Sequence, residues 1–180
     1  DCIPCLVRQA LDAARRITSD ATVHERIVRD ALQQAVTMDW DRPPPVLAQA
    51  IHRRLREATG ARDPYHDEKR RQTQMAQDLL PELEQQVANA ADPLLTAARL
   101  AIAGNLIDLG ARPGASENEV RQELREALSA PLQCDADTFH QAVAEARHIL
   151  YLADNAGEIV FDRLLIDQLP RERVTLAVRG

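Results

Sequence analysis

Aromatic residues are scarce in this 180-residue chain: one Trp, two Tyr and two Phe, 3% of the whole. A core without rings must be built from Leu, Ile, Val and Ala, so alanine-rich helices are expected. Lysine is almost absent. Lys69 is the only one, and every other basic side chain is an Arg. A lysine kept against that bias hints that a compact ammonium is wanted there, because the two cations differ in geometry and in how readily they lose a proton. With only six glycines, the chain has no Gly-rich dinucleotide fingerprint, no P-loop and no GxSxG elbow. Its histidines, His24, His52, His66, His140 and His148, show no HExxH or other ligand spacing. No apolar run approaches the roughly 20 residues of a membrane span, and no signal peptide opens the sequence, so a cytoplasmic protein is expected. A net charge of -6 argues against nucleic acid as the main partner.

What remains is ordinary for a soluble globular protein: 45% hydrophobic and 28% charged residues, in a length that allows one good core or two small ones. The first half reads as successive helices. Ile3, Leu6, Val7, Ala10, Leu11, Ala14 and Ile17 recur at helical spacing. Ser19 and Asp20 can cap a second helix with an inner stripe of Val23, Ile27, Val28, Ala31, Leu32, Ala35 and Val36. After the rigid connector 39–45, a third helix runs from Val46 to about Thr59 and stops at Gly60. A polar fourth helix opens at Asp63-Pro64-Tyr65 and runs towards Pro81. Asp92-Pro93 starts a helix that reaches Leu109, Ser116 caps another, and Asp135 to Ala146 forms the next. The expected organisation is a helical bundle over residues 1–91 followed by the first portion of an α/β domain over residues 92–180.

The richest stretch is 149–162. Ile149 to Ala153 is an unbroken apolar run, which suits a parallel strand covered on both faces. It stops on Asp154-Asn155, turns through Ala156-Gly157 and launches a helix at Glu158. Ligands of open α/β sheets sit at the carboxyl ends of strands, and a following helix offers its positive N-terminus to anions. A carboxylate and a carboxamide there supply hard oxygen donors for a divalent cation. The same two residue types also favour N-caps and Asx-turns, so capping stands as the alternative.

Gly104-Asn105-Leu106-Ile107-Asp108 lies in an apolar helix, where Gly and Asn are poor choices on propensity. Gly104 permits close approach, and Asn105 and Asp108 share a helix face. A tight helix crossing explains the segment as readily as a site does. Lys69, at the start of its helix, can reach a phosphate as a point charge. Cys2-Ile3-Pro4-Cys5 has the spacing of a redox couple or half a zinc site, but a second pair is missing, so simple packing is the better expectation.

In order, Cys2-x-x-Cys5-Leu6, Asp63-Pro64-Tyr65 with Lys69, Gly104-Asn105-x-x-Asp108, and Asp154-Asn155-Ala156-Gly157-Glu158 with Asp162 resemble the damage-control phosphatases, long known as domain of unknown function 89. The initial CxxC resembles the prokaryotic branch. The resemblance implies an all-helical N-terminal part followed by the start of a Rossmann-like, doubly wound α/β core. It further implies a divalent transition metal (manganese, nickel or cobalt, with magnesium a fourth option) and hydrolysis of phosphate monoesters of small metabolites such as sugar phosphates. Asp154 and Asn155 match the first two metal ligands and are the expected catalytic pair. Asn105, Asp108, Lys69, Gly157 and Glu158 are expected around substrate and phosphate, and Asp162 is expected to be structural. The family's third ligand is an Asp after the next strand. Here that strand is Val174 to Val178 and the sequence stops at Gly180, so a C-terminally truncated chain with an incomplete ligand set is expected. A carboxyl methyltransferase using a methyl donor and a non-catalytic helical interaction module are the rival readings. The first wants a Gly-rich loop after the first strand, the second a large exposed apolar stripe on the early helices.

Overall fold

The computed structural model describes residues 2–37, 39, 41, 43–60, 63–106 and 117–178. Its contacts divide the chain between Asp67 and Glu68 rather than at residue 91.

The first unit holds α1 (Cys2–Ile17), α2 (Ala21–Thr37) and α3 (Pro44–Thr59), which pack on one another. Asp20 caps α2, its Oδ1 accepting from the Thr22 backbone N–H at 2.8 Å. Gly60 ends α3 at φ 71, in the left-handed region glycine enters without strain, and its N–H donates to the Arg56 carbonyl. The buried cluster is Ala10, Ala13 and Ala14 of α1, Ile27, Ala31 and Ala35 of α2, and Ile51 and Leu55 of α3. Five of these eight residues are alanines, as the shortage of rings implied. The stripe of α2 is narrower than expected, for Leu32 and Val36, one turn apart, lie 47% and 75% exposed.

The second unit contains most of α4 (His66–Ala88), then α5 (Pro93–Leu106), α6 (Glu117–Ser129), α7 (Ala136–Glu145), β1 (Ile149–Ala153), α8 (Glu158–Ile166) and β2 (Val174–Val178). Helix α4 does not stop at Pro81 but continues to Ala88. An interior proline costs about 3 kcal/mol. Ala76, Leu79, Leu83 and Val87, spaced to line one face, enter the core and offset that cost. This core, shared with α5, α6 and α8, is why the contacts place α4 with the later elements instead of the early bundle.

Local signals start and stop the other helices. Asp92 Oδ1 accepts from the Leu95 N–H at 3.0 Å, and Asp135 accepts from Thr138. Arg99 of α5 donates to the carbonyls of Leu128 and Ala130, satisfying orphan acceptors at the end of α6. Arg173 does the same for Ala144 and Ala146 at the end of α7.

β1 and β2 are parallel, with Ile149 opposite Val174 and Ala153 opposite Val178, and α8 connects them. This βαβ unit beside helices agrees with the expected α/β class. Among the described residues only one face of β1 is covered. Ala153 and half-buried Tyr151 face inward, whereas Leu150 and Leu152 are 64% and 72% exposed. Alternation sends successive side chains to opposite faces, and α8 occupies only one of them. Among the described residues no helix is long and apolar enough to cross a membrane.

Candidate active site

The strand β1 delivers Asp154 and Asn155, both exposed, to its carboxyl end, where the chain turns through half-buried Ala156 into buried Gly157 and Glu158. Gly157 occupies the N-cap position of α8, and no side-chain hydrogen bond caps it. The helix start is held by backbone instead: the Ile159 N–H donates to the Asn155 carbonyl at 3.2 Å and the Val160 N–H to the Gly157 carbonyl at 3.3 Å.

Glu158 sits in the first turn of α8, 9% exposed, where the helix dipole favours its charge. Its two oxygens are taken separately. Asn105 Nδ2, from α5, donates to Oε1 at 2.8 Å, and Asn155 Nδ2 donates to Oε2 at 3.2 Å. The structure therefore brings three of the expected residues, Asn105, Asn155 and Glu158, into one network. Gly104 explains how α5 comes so near. A Cβ there would stand 2.5 Å from Phe161 Cδ2 of α8, and Phe161 is fully buried. The tight crossing expected at Gly104 is present, and across it Asn105 reaches Glu158 in the first turn of α8.

One turn beyond Glu158, Asp162 is 2% exposed and its Oδ1 accepts from the Tyr151 hydroxyl at 2.7 Å. Its Oδ2 is buried without a hydrogen-bond partner among the described residues. Burial pushes the Asp162 carboxyl up to about 6, the nearby Glu158 adds to the rise, and the Tyr151 hydroxyl opposes it. Burial, then the bond to Asp162, push the Tyr151 phenol above its ordinary value. The pair ties the centre of β1 to α8.

Thr73 of α4 donates through Oγ1 to the Ala156 carbonyl at 3.3 Å, fastening the turn. Lys69 is exposed one turn earlier on α4, on the same helix face as Thr73. Asp108 lies outside the described residues, as does the Cys2 side chain. Cys5 is exposed and accepts from Gln9 Nε2, and Cys134 is exposed. Among the described residues no group of three or more His, Cys, Asp or Glu side chains is placed to hold a metal ion. The donor chemistry of Asp154 and Asn155 nevertheless suits an oxygen-seeking divalent ion. Both are exposed at the strand end, and the Asn155 nitrogen is already committed to Glu158, leaving the carboxamide oxygen to face elsewhere.

Sequence reasoning gave no role to Thr73 or Tyr151. Thr73 carries no local signal. Tyr151 carries one, as the sole polar tip in an apolar strand, and a buried phenol needs a partner.

The βαβ unit beside packed helices places the chain in the α/β class, whose ligands sit at the carboxyl ends of strands. All of residues 1–180 match the family described as the damage-control phosphatase ARMT1-like domain, and the chain belongs to that family. It is 33% identical over 183 residues to a protein of Archaeoglobus fulgidus named damage-control phosphatase, covering 99% of this chain and 63% of that one. It is 27% identical to damage-control phosphatase PH1575 of Pyrococcus horikoshii over 94% of this chain and 58% of the relative. The crystal structure of a DUF89 family protein from Pyrococcus horikoshii superposes with a TM-score of 0.82 at 26% identity, over 98% of this chain and 61% of that chain. The chain spans about three-fifths of the length of the curated relatives it matches.

Proposed function

We propose that the protein is a metal-dependent phosphatase that hydrolyses phosphate monoesters of small metabolites, sugar phosphates among them. The observation that carries this reading is the pairing of Asp154 and Asn155 at the carboxyl end of β1 with the N-terminus of α8, which begins at Gly157-Glu158 directly behind them. Two relatives named damage-control phosphatase support it.

Asp154 and Asn155 would hold manganese, nickel, cobalt or magnesium through oxygen. Bound there, such an ion supplies Lewis acidity and a more acidic water. The chain's own residues supply the rest. The N-terminus of α8 at Gly157-Glu158 offers a partial positive charge to phosphate oxygens. Lys69, on the face of α4 whose Thr73 holds the turn, adds a positive charge that offsets the phosphate's own. Thr73 keeps the Ala156 carbonyl engaged and so fastens the turn that leads into α8. Specificity for one metabolite would come from further side chains, of which the family resemblance names Asp108.

The test uses the full-length protein, stripped of metal and reloaded with manganese, cobalt or nickel, releasing phosphate from a panel of sugar phosphates. Asp154→Ala is expected to lower metal-stimulated release by at least about 100-fold. Equal release by variant and parent would overturn the reading.

A further inference from the structure

We propose that Glu158 is a positioning residue, held from α5 by Asn105, whose task is to fix the rotation of the Asn155 carboxamide so that its oxygen faces the cation site. This rests on the phosphatase reading for the cation but on the geometry alone for the amide.

A carboxamide has a donor end and an acceptor end of nearly equal size, and only its local partners decide which way it turns. For a metal site the choice is decisive, because hard cations take the oxygen and the amide nitrogen is no ligand for them. A carboxylate only accepts hydrogen bonds. Glu158 Oε2 at 3.2 Å therefore selects the Asn155 rotamer with Nδ2 inward and Oδ1 turned the other way. A hydroxyl, or another amide, would accept either rotamer.

Such a selector must itself be fixed. Glu158 is buried, its second oxygen is taken by Asn105 at 2.8 Å, and Gly104 lets α5 sit against the fully buried Phe161, three residues along α8 from Glu158. A rigid line thus runs from the apolar core to the strand-end amide: Phe161 against Gly104, Asn105 to Glu158, and Glu158 to Asn155. Each oxygen of Glu158 is thereby held by one amide, from α5 on one side and from the strand end on the other.

The experiment compares the full chain with Glu158→Gln and Asn105→Ala. Glutamine keeps the size and one acceptor, but its own amide can donate to the Asn155 oxygen and so accepts the reversed rotamer. In the metal-free protein, the Asn155 side-chain amide signals, assigned through Asn155→Ser, are expected to move in Glu158→Gln. Manganese affinity, followed by the spectrum of the free ion, is expected to fall about 10- to 100-fold. Asn105→Ala, which leaves Glu158 with one anchor, is expected to lose less affinity in the same direction, and it decides the matter should Glu158→Gln fail to fold. Unmoved amide signals with parental manganese affinity and a reduced kcat would make Glu158 a substrate or water contact and overturn the proposal. If even the parent binds no metal, the phosphatase reading fails, and the metal-free amide signals still decide whether Glu158 orients Asn155.

Discussion

The two units of this chain bury different kinds of side chain. Around α1, α2 and α3 the cluster is wholly apolar and mostly alanine. In the second unit an apolar cluster of similar kind is joined by Gln72, Glu158 and Asp162, the three buried polar or charged side chains among the described residues. Gln72 is satisfied within α4, its Nε2 donating to Glu68. Glu158 and Asp162 lie on the face of α8 that meets β1 and α5. Burying charge is costly, and both buried carboxylates lie on α8, the helix that follows the proposed site. Alanine packing has no such cost.

Truncations test that contrast most strongly. Phe161→Ala should cost about 3–5 kcal/mol of unfolding free energy, and Leu55→Ala in the first unit about 2–5 kcal/mol, measured by urea titration. The contrast lies in what accompanies the loss. The Phe161 variant should also weaken manganese uptake, because it removes the surface that sets the α5–α8 crossing, while the Leu55 variant should not. Next comes Asp162→Asn. A carboxyl raised to about 6 binds its proton more tightly folded than unfolded. Its contribution is therefore full below the unfolded value near 4 and declines as pH climbs through about 6. The variant should flatten stability between pH 4 and 6 and be steadier than the parent at pH 7 by about 1–3 kcal/mol. A Leu55→Ala protein showing the same flattening would break the comparison.

Smaller again is Gly104→Ala. Crowding against Phe161 costs about 1–3 kcal/mol, and the gain in helix propensity returns up to about 1 kcal/mol, so a net loss is expected in thermal unfolding. The least effect belongs to His140. Its Nδ1 donates to the Ala136 carbonyl and its Nε2 lies 3.1 Å from Asp92, which together raise its pKa, the backbone bond contributing most. Its share of stability is present below the ordinary histidine value and is lost as pH rises through the raised one. His140→Gln should slightly reduce the fall in melting temperature between pH 6 and 8.

Local chemistry was legible from the sequence wherever one turn contained the whole signal. Asp20 and Asp92 cap the helices they were expected to start, Asp135 caps the helix it was expected to begin, and Gly60 stops α3. The strand, turn and helix around Asp154 follow the same rule. Where a distant partner decides, the reading failed or stayed open. Pro81 is carried through α4 by apolar neighbours from other helices. Thr73 meets Ala156 across 83 positions, and no periodicity announces such a contact. Asn105 and Glu158, 53 positions apart, were each marked as candidates, Asn105 because it defies helix propensity, yet nothing local linked them. The family resemblance was read from those same blocks, and the full-length family match agrees with it. The outer face of β1 erred because an apolar run does not say how many layers cover it.

Lys69 carries one more consequence. As the sequence's only lysine, exposed near the start of α4, it carries the only side-chain amine that acylating reagents can modify. Bound phosphate that engages its ammonium would shield it. The rate of that labelling then becomes an optical gauge of occupancy, readable without any turnover and without altering a residue.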